Sequence, residues 1–341
     1  MKEIATEDKK RSPISWVPTL YFAMGLPFVM INMAATVMFR NLEISDAQIA
    51  FWTSLIMLPW TLKPLWSPFL EMYKTKKFFV ILTQTLTGLM FGLTALALNL
   101  PHFFAICIAI LAVIALSGAT HDIAADGVYM SALSKDDQAK YIGWQGAFYN
   151  IAKLVAQGGL VYVSGVLIKY FAGNIDGVTP FIQASSEHQA AVIAWMGILL
   201  FAGALMVTFG LYHIKFLPSE QKNENKVKPT FKETMDELVE TFIDLFRKRH
   251  IVYYICFIIL YRFAEGFVMK IVPLFLMADR ANQGLGLTNE QIGAYYGTYG
   301  SAAFVLGSLL AGYYVAHRGL QKSLFSLCCV FNLPFVAYTL L

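Results

Sequence analysis

Asp122 and Asp126 stand four residues apart, just beyond a stretch from Phe103 to Ala119 that carries no charged residue. Four apart on a helix, they share one face, and His121 immediately precedes the first of them. A carboxylate on an apolar helix is costly unless it borders a wet cavity or meets a partner. The chemistry open to such a pair is proton exchange or a place on a solute's route, which makes Asp126 and Asp122 proton-coupling candidates. The structural alternative is a pair of carboxylates at an inner helix end, held by loop bases such as Lys74, Lys135 or Lys140. At about 1.5 Å per residue, Asp122 lies roughly 30 Å from Pro101, toward one mouth of the membrane rather than its middle.

Other charges interrupt apolar stretches. Lys153 falls roughly 18 Å into its segment, near mid-depth, on a polar stripe with Gly146, Asn150 and Gln157. A cation there suits the anionic group of a solute, or else a salt bridge joining helices. Arg262 and Glu265, three apart, suit binding of a carboxylate or phosphate with charge relay at Glu265, or else a local i, i+3 lock. Lys63 and Lys270 lie nearer segment ends and are expected to snorkel. Asn32 (with Thr36) and Tyr295 (with Tyr299) are candidates to line a cavity or simply to pack helices. Gly158-Gly159 and Gly293 with Gly297 suit close helix approach, and His121 by itself reads as an interface residue.

The elements that must position these groups are membrane spans. The chain of 341 residues is 57% hydrophobic and only 14% charged, with a mean hydropathy of +0.57. Soluble domains carry roughly 25% charged residues. This composition excludes a water-soluble globule, and the continuous apolar runs argue against a membrane barrel. Spans of about 20 residues are expected near 15–38, 48–70, 78–99, 102–131, 141–170, 189–213, 251–277, 290–316 and 322–341. The tail and the 71–77, 132–140, 214–250 and 317–322 segments hold nineteen of the 26 lysines and arginines, whereas the opposite side holds Arg40, Lys169 and Arg280. The positive-inside rule then places the N-terminus in the cytoplasm.

Four units follow: a cytoplasmic tail (1–14), a six-helix transmembrane bundle (15–213), a cytoplasmic linker (214–250) and a partial three-span bundle (251–341). In the linker, Thr230 and Glu233 form a capping-box pattern ahead of the stripe Phe231, Met235, Leu238, Phe242 and Leu245, an amphipathic helix for the inner surface or the bundle flank. The turns around Glu71, Lys74, Lys76 and Lys77 and around Arg318 are short, basic and similarly placed, a weak internal repeat. Cys107, Cys256, Cys328 and Cys329 lie inside apolar segments and read as free thiols, neither a disulfide framework nor a metal site. No metalloprotease, hydrolase or Walker motif is present, so neither an enzyme nor an ATP-driven pump is expected, and no cofactor or nucleic-acid partner is implied.

Three stretches carry a family resemblance: Tyr21-Phe22-Ala23-Met24-Gly25-Leu26-Pro27, Leu62-Lys63-Pro64-Leu65-Trp66-Ser67-Pro68-Phe69-Leu70-Glu71, and Ala119-Thr120-His121-Asp122-Ile123-Ala124-Ala125-Asp126-Gly127. They resemble motifs of the major facilitator superfamily, in the branch of AmpG-type muropeptide permeases and acetyl-coenzyme A transporters. His121 stands where that branch has Gln, and Glu71 where it has Asp. The resemblance implies an all-α, major-facilitator-type helical bundle that rocks two six-helix halves about a central site. It implies a secondary transporter of a polar or anionic organic solute, a muropeptide-like molecule as first guess, with proton coupling as one option and an inner (plasma) membrane location. Lys153, Arg262, Asn150, Gln157, Asn32 and Tyr295 become substrate-cavity candidates. Glu71, Lys74, Lys76, Lys77 and Arg318 become the cytoplasmic gating turn. Such carriers have twelve spans and this sequence reaches only a ninth. A non-transporting membrane receptor, or an inactive fragment of a longer carrier, is therefore the rival expectation.

Overall fold

The computed structural model describes residues 12–219, 230–282 and 284–338, with backbone only at 71–73, 139, 262, 264, 282, 305, 308, 309, 312, 313, 316, 320, 337 and 338. Every regular element among the described residues is helical. Among the described residues, five helices are long and apolar enough to cross a membrane. In chain order, α1 spans Pro13–Asn41, with Pro27 inside it and a π-helical stretch at Met30–Ala34. The second apolar segment is broken into α2 (Asp46–Ile56), α3 (Leu58–Leu62), a 3₁₀ turn (Lys63–Leu65) and α4 (Ser67–Tyr73). Next come α5 (Lys76–Ala97), α6 (Phe103–Ala132), α7 (Lys135–Phe171) and α8 (Glu187–Phe216). The linker holds α9 (Phe231–Arg247), followed by α10 (Ile251–Met277). Then α11 runs as Asn289–Gln291, a π stretch Ile292–Tyr299 and Gly300–Arg318, and α12 is Leu320–Tyr338.

The broken second segment departs from the single span expected over 48–70. Pro59, Pro64 and Pro68 each remove a backbone N–H and clash with the preceding turn, and the breaks fall beside them. In contrast, α10 is long enough to span but carries Arg262, Glu265 and Lys270, charges that an isolated membrane helix tolerates poorly.

Caps follow the local sequence. The hydroxyls of Thr75, Ser134 and Ser186 each accept a backbone N–H at the start of α5, α7 and α8. At α9, Thr230 and Glu233 form the reciprocal box that their spacing predicts. Hydrogen bonds from the Thr230 backbone and hydroxyl hold the exposed Glu233 carboxyl below its ordinary range.

The core of α1–α8 is built on α5, which packs along both α6 and α8, while α1 packs along α7 and α6. Small residues permit the tightest crossing. A Cβ on Gly88 would fall 2.6 Å from the Gly203 carbonyl oxygen, and one on Gly203 would fall 2.6 Å from that of Gly88. These distances lie well inside van der Waals contact, so both positions need glycine. Gly92, one turn further along α5, has nothing within 4 Å. Thermal unfolding in detergent should therefore show Gly203→Val destabilised by about 1–3 kcal/mol or more, the usual cost of overpacking, with Gly92→Ala close to wild type. Equal stability of the two variants would contradict this account of the α5–α8 crossing.

Candidate functional site

The carboxylates of α6 are tied to two other helices. Asp122 Oδ2 accepts Lys63 Nζ at 2.5 Å and the Trp60 indole N–H at 3.1 Å. Asp126 Oδ1 accepts the Tyr21 hydroxyl of α1 at 3.0 Å, and the Tyr21 ring stands edge-on to Tyr129 at 5.7 Å. Asp122 is buried and Asp126 half-buried. Here the structure corrects two sequence expectations. Lys63 does not snorkel to the surface: the 3₁₀ turn after α3 turns it inward. The partners of the two acids are Lys63, Trp60 and Tyr21, not the loop bases Lys74, Lys135 and Lys140.

A second buried polar chain runs behind the acids. The Gln84 side chain of α5 meets His121 Nε2 at 2.9 Å through its amide nitrogen and His213 Nδ1 at 2.8 Å through its oxygen. His213 Nε2 meets Thr19 Oγ1 at 2.9 Å. An amide donates from its nitrogen and accepts at its oxygen, so Gln84 requires His121 Nε2 to accept without a proton and His213 Nδ1 to carry one. Ser117 Oγ and Thr87 Oγ1 extend this seam between α5 and α6. Gln84, His213 and Trp60 are participants that the sequence reading did not single out, and Tyr21 entered it only as the first residue of a motif stretch.

Lys153 on α7 lies at the seam between α1–α8 and the helices that follow the linker. Its ammonium stands 5.0 Å from the Tyr149 ring centroid and 5.5 Å from that of Phe304 on α11, within cation–π range. Glu265 of α10 is close enough to act on it electrostatically. Lys270 of α10 approaches the Thr53 carbonyl and hydroxyl of α2, both at 3.4 Å, and is not extended to the surface as expected. Gln157 donates to the Tyr296 carbonyl at 3.3 Å across the same seam, whereas Asn150 bonds back to Gly146 within its own helix. Tyr295 is exposed and stacked on Tyr299 at 6.1 Å. Asn32 is half-buried on the π stretch of α1. The side chains of Glu71 and Arg262 lie outside the described residues.

The basic turns are engaged differently. Lys77 donates to the Leu217 carbonyl at 2.7 Å, and Lys74 stands 6.0 Å from the Phe78 ring centroid. The stem of Lys76 occupies the space that a Cβ on Gly127 would need. Arg318 bonds the Tyr314 hydroxyl at 3.1 Å.

At the end of the bundle opposite the linker, the two parts of the chain are closed together. Asn289 Nδ2 donates to Asn41 Oδ1 at 2.7 Å and to Ser164 Oγ at 3.0 Å, and Trp195 Nε1 donates to the same Asn41 oxygen at 2.9 Å. Lys169 pairs with Glu290 at 2.7 Å. Deeper in, the π stretch Leu154–Leu160 of α7 packs on the π stretch Ile292–Tyr299 of α11. A Cβ on Gly293 would stand 2.7 Å from the Tyr162 nitrogen, and one on Gly297 would collide with the Gly158 backbone. Near the linker, by contrast, Ile142 and Trp144 of α7 are exposed, as are Leu306 and Leu310 of α11.

Fold and site together define a helical bundle of the membrane-spanning kind, with an ionic pair inside its first part and a seam closed at one end. The sequence matches the Major Facilitator Superfamily over residues 19–341, and the chain belongs to that superfamily. No curated protein matches it. Among solved structures it is similar to a bacterial homologue of the human lysosomal transporter Spinster. Against the inward-facing, unoccupied form the TM-score is 0.64 at 15% identity, covering 92% of this chain and 64% of the other. Against the inward-facing, occupied form it is 0.58 at 14% identity, covering 91% and 61%. The chain thus spans less than two thirds of either neighbour's length.

Lys63→Met should leave Asp122 buried without its cation, at a cost of about 3–5 kcal/mol. The double variant Lys63→Met/Asp122→Asn should recover most of that loss. Chemical or thermal unfolding in detergent reads the difference, and a double variant no more stable than Lys63→Met would contradict the pairing. Gln84→Leu should cost about 1–3 kcal/mol for each imidazole nitrogen left unsatisfied, measured in the same way.

Proposed function

We propose that the protein is a secondary transporter of a polar or anionic organic solute, working by alternating access in the inner (plasma) membrane with its N-terminus in the cytoplasm. The carrying observation is Lys153, a cation at mid-helix on the seam between the two parts of the chain, faced by the rings of Tyr149 and Phe304. A cation held by ring faces remains available to an anionic group of a solute, and the rings suit sugar faces. The three motif stretches resemble those of muropeptide permeases, and the first candidate solute is therefore a muropeptide-like sugar–peptide.

The closed Asn41–Asn289 end and the exposed α7 and α11 surfaces near the linker support a seam that opens toward the linker side. Rocking exchanges which end is closed. Proton coupling falls to Asp126 and Asp122. A proton on Asp126 removes the charge that the Tyr21 hydroxyl solvates, and a proton on Asp122 weakens its hold on Lys63. Either event loosens α6 from α1 or from the broken second span, the two contacts a rocking first half would have to keep or change. Glu265 is the third carboxylate on this route, beside Lys153.

Uptake of labelled muropeptide into proteoliposomes, with and without an inward proton gradient, tests this reading. Wild type should accumulate solute only with the gradient, Asp126→Asn should lose gradient-driven accumulation, and Lys153→Met should raise the half-saturation concentration at least tenfold. Equal accumulation by wild type and Asp126→Asn, whatever the gradient, would sink the coupling assignment. Solute binding without counterflow would point instead to a receptor.

A further inference from the structure

The linker helix α9 carries two faces of opposite character. At about 100° per residue, Phe231, Met235, Val239, Phe242, Ile243 and Phe246 fall on one arc, and all six are exposed. Glu233, Asp236, Glu237, Glu240 and Asp244 fall on the opposite arc. One end is anchored: the capping box fixes the first turn, and the Phe231 ring stacks on Phe69 at 5.3 Å. The other end runs through Arg247, Lys248, Arg249 and His250 directly into α10, which begins at Ile251. Between the apolar arc and Leu65 of the second span lies an open groove of about 590 Å³, with Leu238, Phe242, Phe246 and Arg247 in its walls.

We infer that this groove is a docking site for an anionic phospholipid, whose acyl chain lies against Phe242, Phe246 and Leu65 and whose phosphate meets Arg247 and its basic neighbours. Three features select that occupant. Only three residues separate α9 from a 27-residue apolar helix, which fixes the arc at the height where the hydrocarbon begins. The arc is continuous with the exposed apolar start of α10 at Val252, Tyr253 and Tyr254. Three bases, Arg247, Lys248 and Arg249, follow one another at the end of the helix that meets the groove, where Arg247 also lies 4.0 Å from the exposed Asp244, while Glu233, Glu237 and Glu240 turn away from the apolar arc. An amphipathic helix with that layout binds the interface of a bilayer, and clustered bases beside a span favour anionic headgroups. The assignment does not depend on what the protein transports.

The test uses the full chain in lipid nanodiscs, on a Cys256→Ser/Cys328→Ser/Cys329→Ser background, with a fluorophore on Phe242→Cys. Doxyl-labelled phospholipid should quench that fluorophore strongly, and aqueous iodide should not. Native mass spectrometry in detergent should show phosphatidylglycerol retained over phosphatidylcholine. The triple variant Arg247→Gln/Lys248→Gln/Arg249→Gln should weaken phosphatidylglycerol retention on the order of a hundredfold, given roughly fivefold per base, while doxyl quenching persists. Iodide quenching at residue 242, equal retention of the two lipids by wild type, or a dimer abolished by Phe242→Glu would each overturn the assignment, the last by giving the face to a second copy.

Discussion

The ion pair between Lys63 and Asp122 is the constraint on which the first half of the molecule turns. An unpaired carboxylate or ammonium inside a bundle meant for lipid would drive its helix out of register or draw water in. Pairing them, with the Trp60 indole as a third member, lets α6 continue as one helix over Phe103–Ala132 while carrying two acids. It also fixes how the second span is built: the lysine reaches the acid because prolines interrupt that span and turn its 3₁₀ segment inward. Sequence irregularity and buried charge are therefore one feature. A regular second helix would present Lys63 elsewhere, and Asp122 would have no cation.

Behind the pair, α1–α8 are held by neutral polar groups as much as by apolar packing. Without a hydrophobic force between helices in lipid, association rests on close packing and hydrogen bonds between helices. The Gly88–Gly203 crossing supplies the first between α5 and α8. The Thr19–His213–Gln84–His121 chain supplies the second and joins α1, α8, α5 and α6 in one line. The two devices act on the same pair of helices, α5 and α8, which form the most extensively packed crossing among the described residues.

What the sequence makes legible is governed by rarity. Asp122 and Asp126 stand out because charge is scarce in an apolar run, and the glycines at 158, 293 and 297 because small residues mark close approach. The Thr230/Glu233 box is readable because its partners are three residues apart. Lys63 misleads because its partner lies 59 positions away and because depth reckoned along an ideal helix fails where prolines break it. Gln84 and His213 stay hidden for another reason: a neutral amide or imidazole in a span is compatible with many roles, and only the fold brings them within 2.8 Å. The one available signal was the run of Thr83, Gln84 and Thr87 within a single apolar span.

The two ends of the seam are held in different ways. From Lys153 outward to Glu290, α7 and α11 meet through backbone-to-backbone glycine contacts in stretches that both depart from α-helical hydrogen bonding. Such π stretches are frequent at functional sites, and here they lie opposite one another. A wider turn on both helices brings Gly158 and Gly297 together at a depth where ordinary side chains would hold the halves apart. The polar cluster of Asn41, Asn289, Ser164 and Trp195 then closes the end beyond. None of these contacts is ionic except Lys169–Glu290, so separation there exposes amides and hydroxyls, which water can satisfy. The costly charges, Lys63 with Asp122 and Lys153 beside Glu265, sit away from that end and need not be separated for it to open.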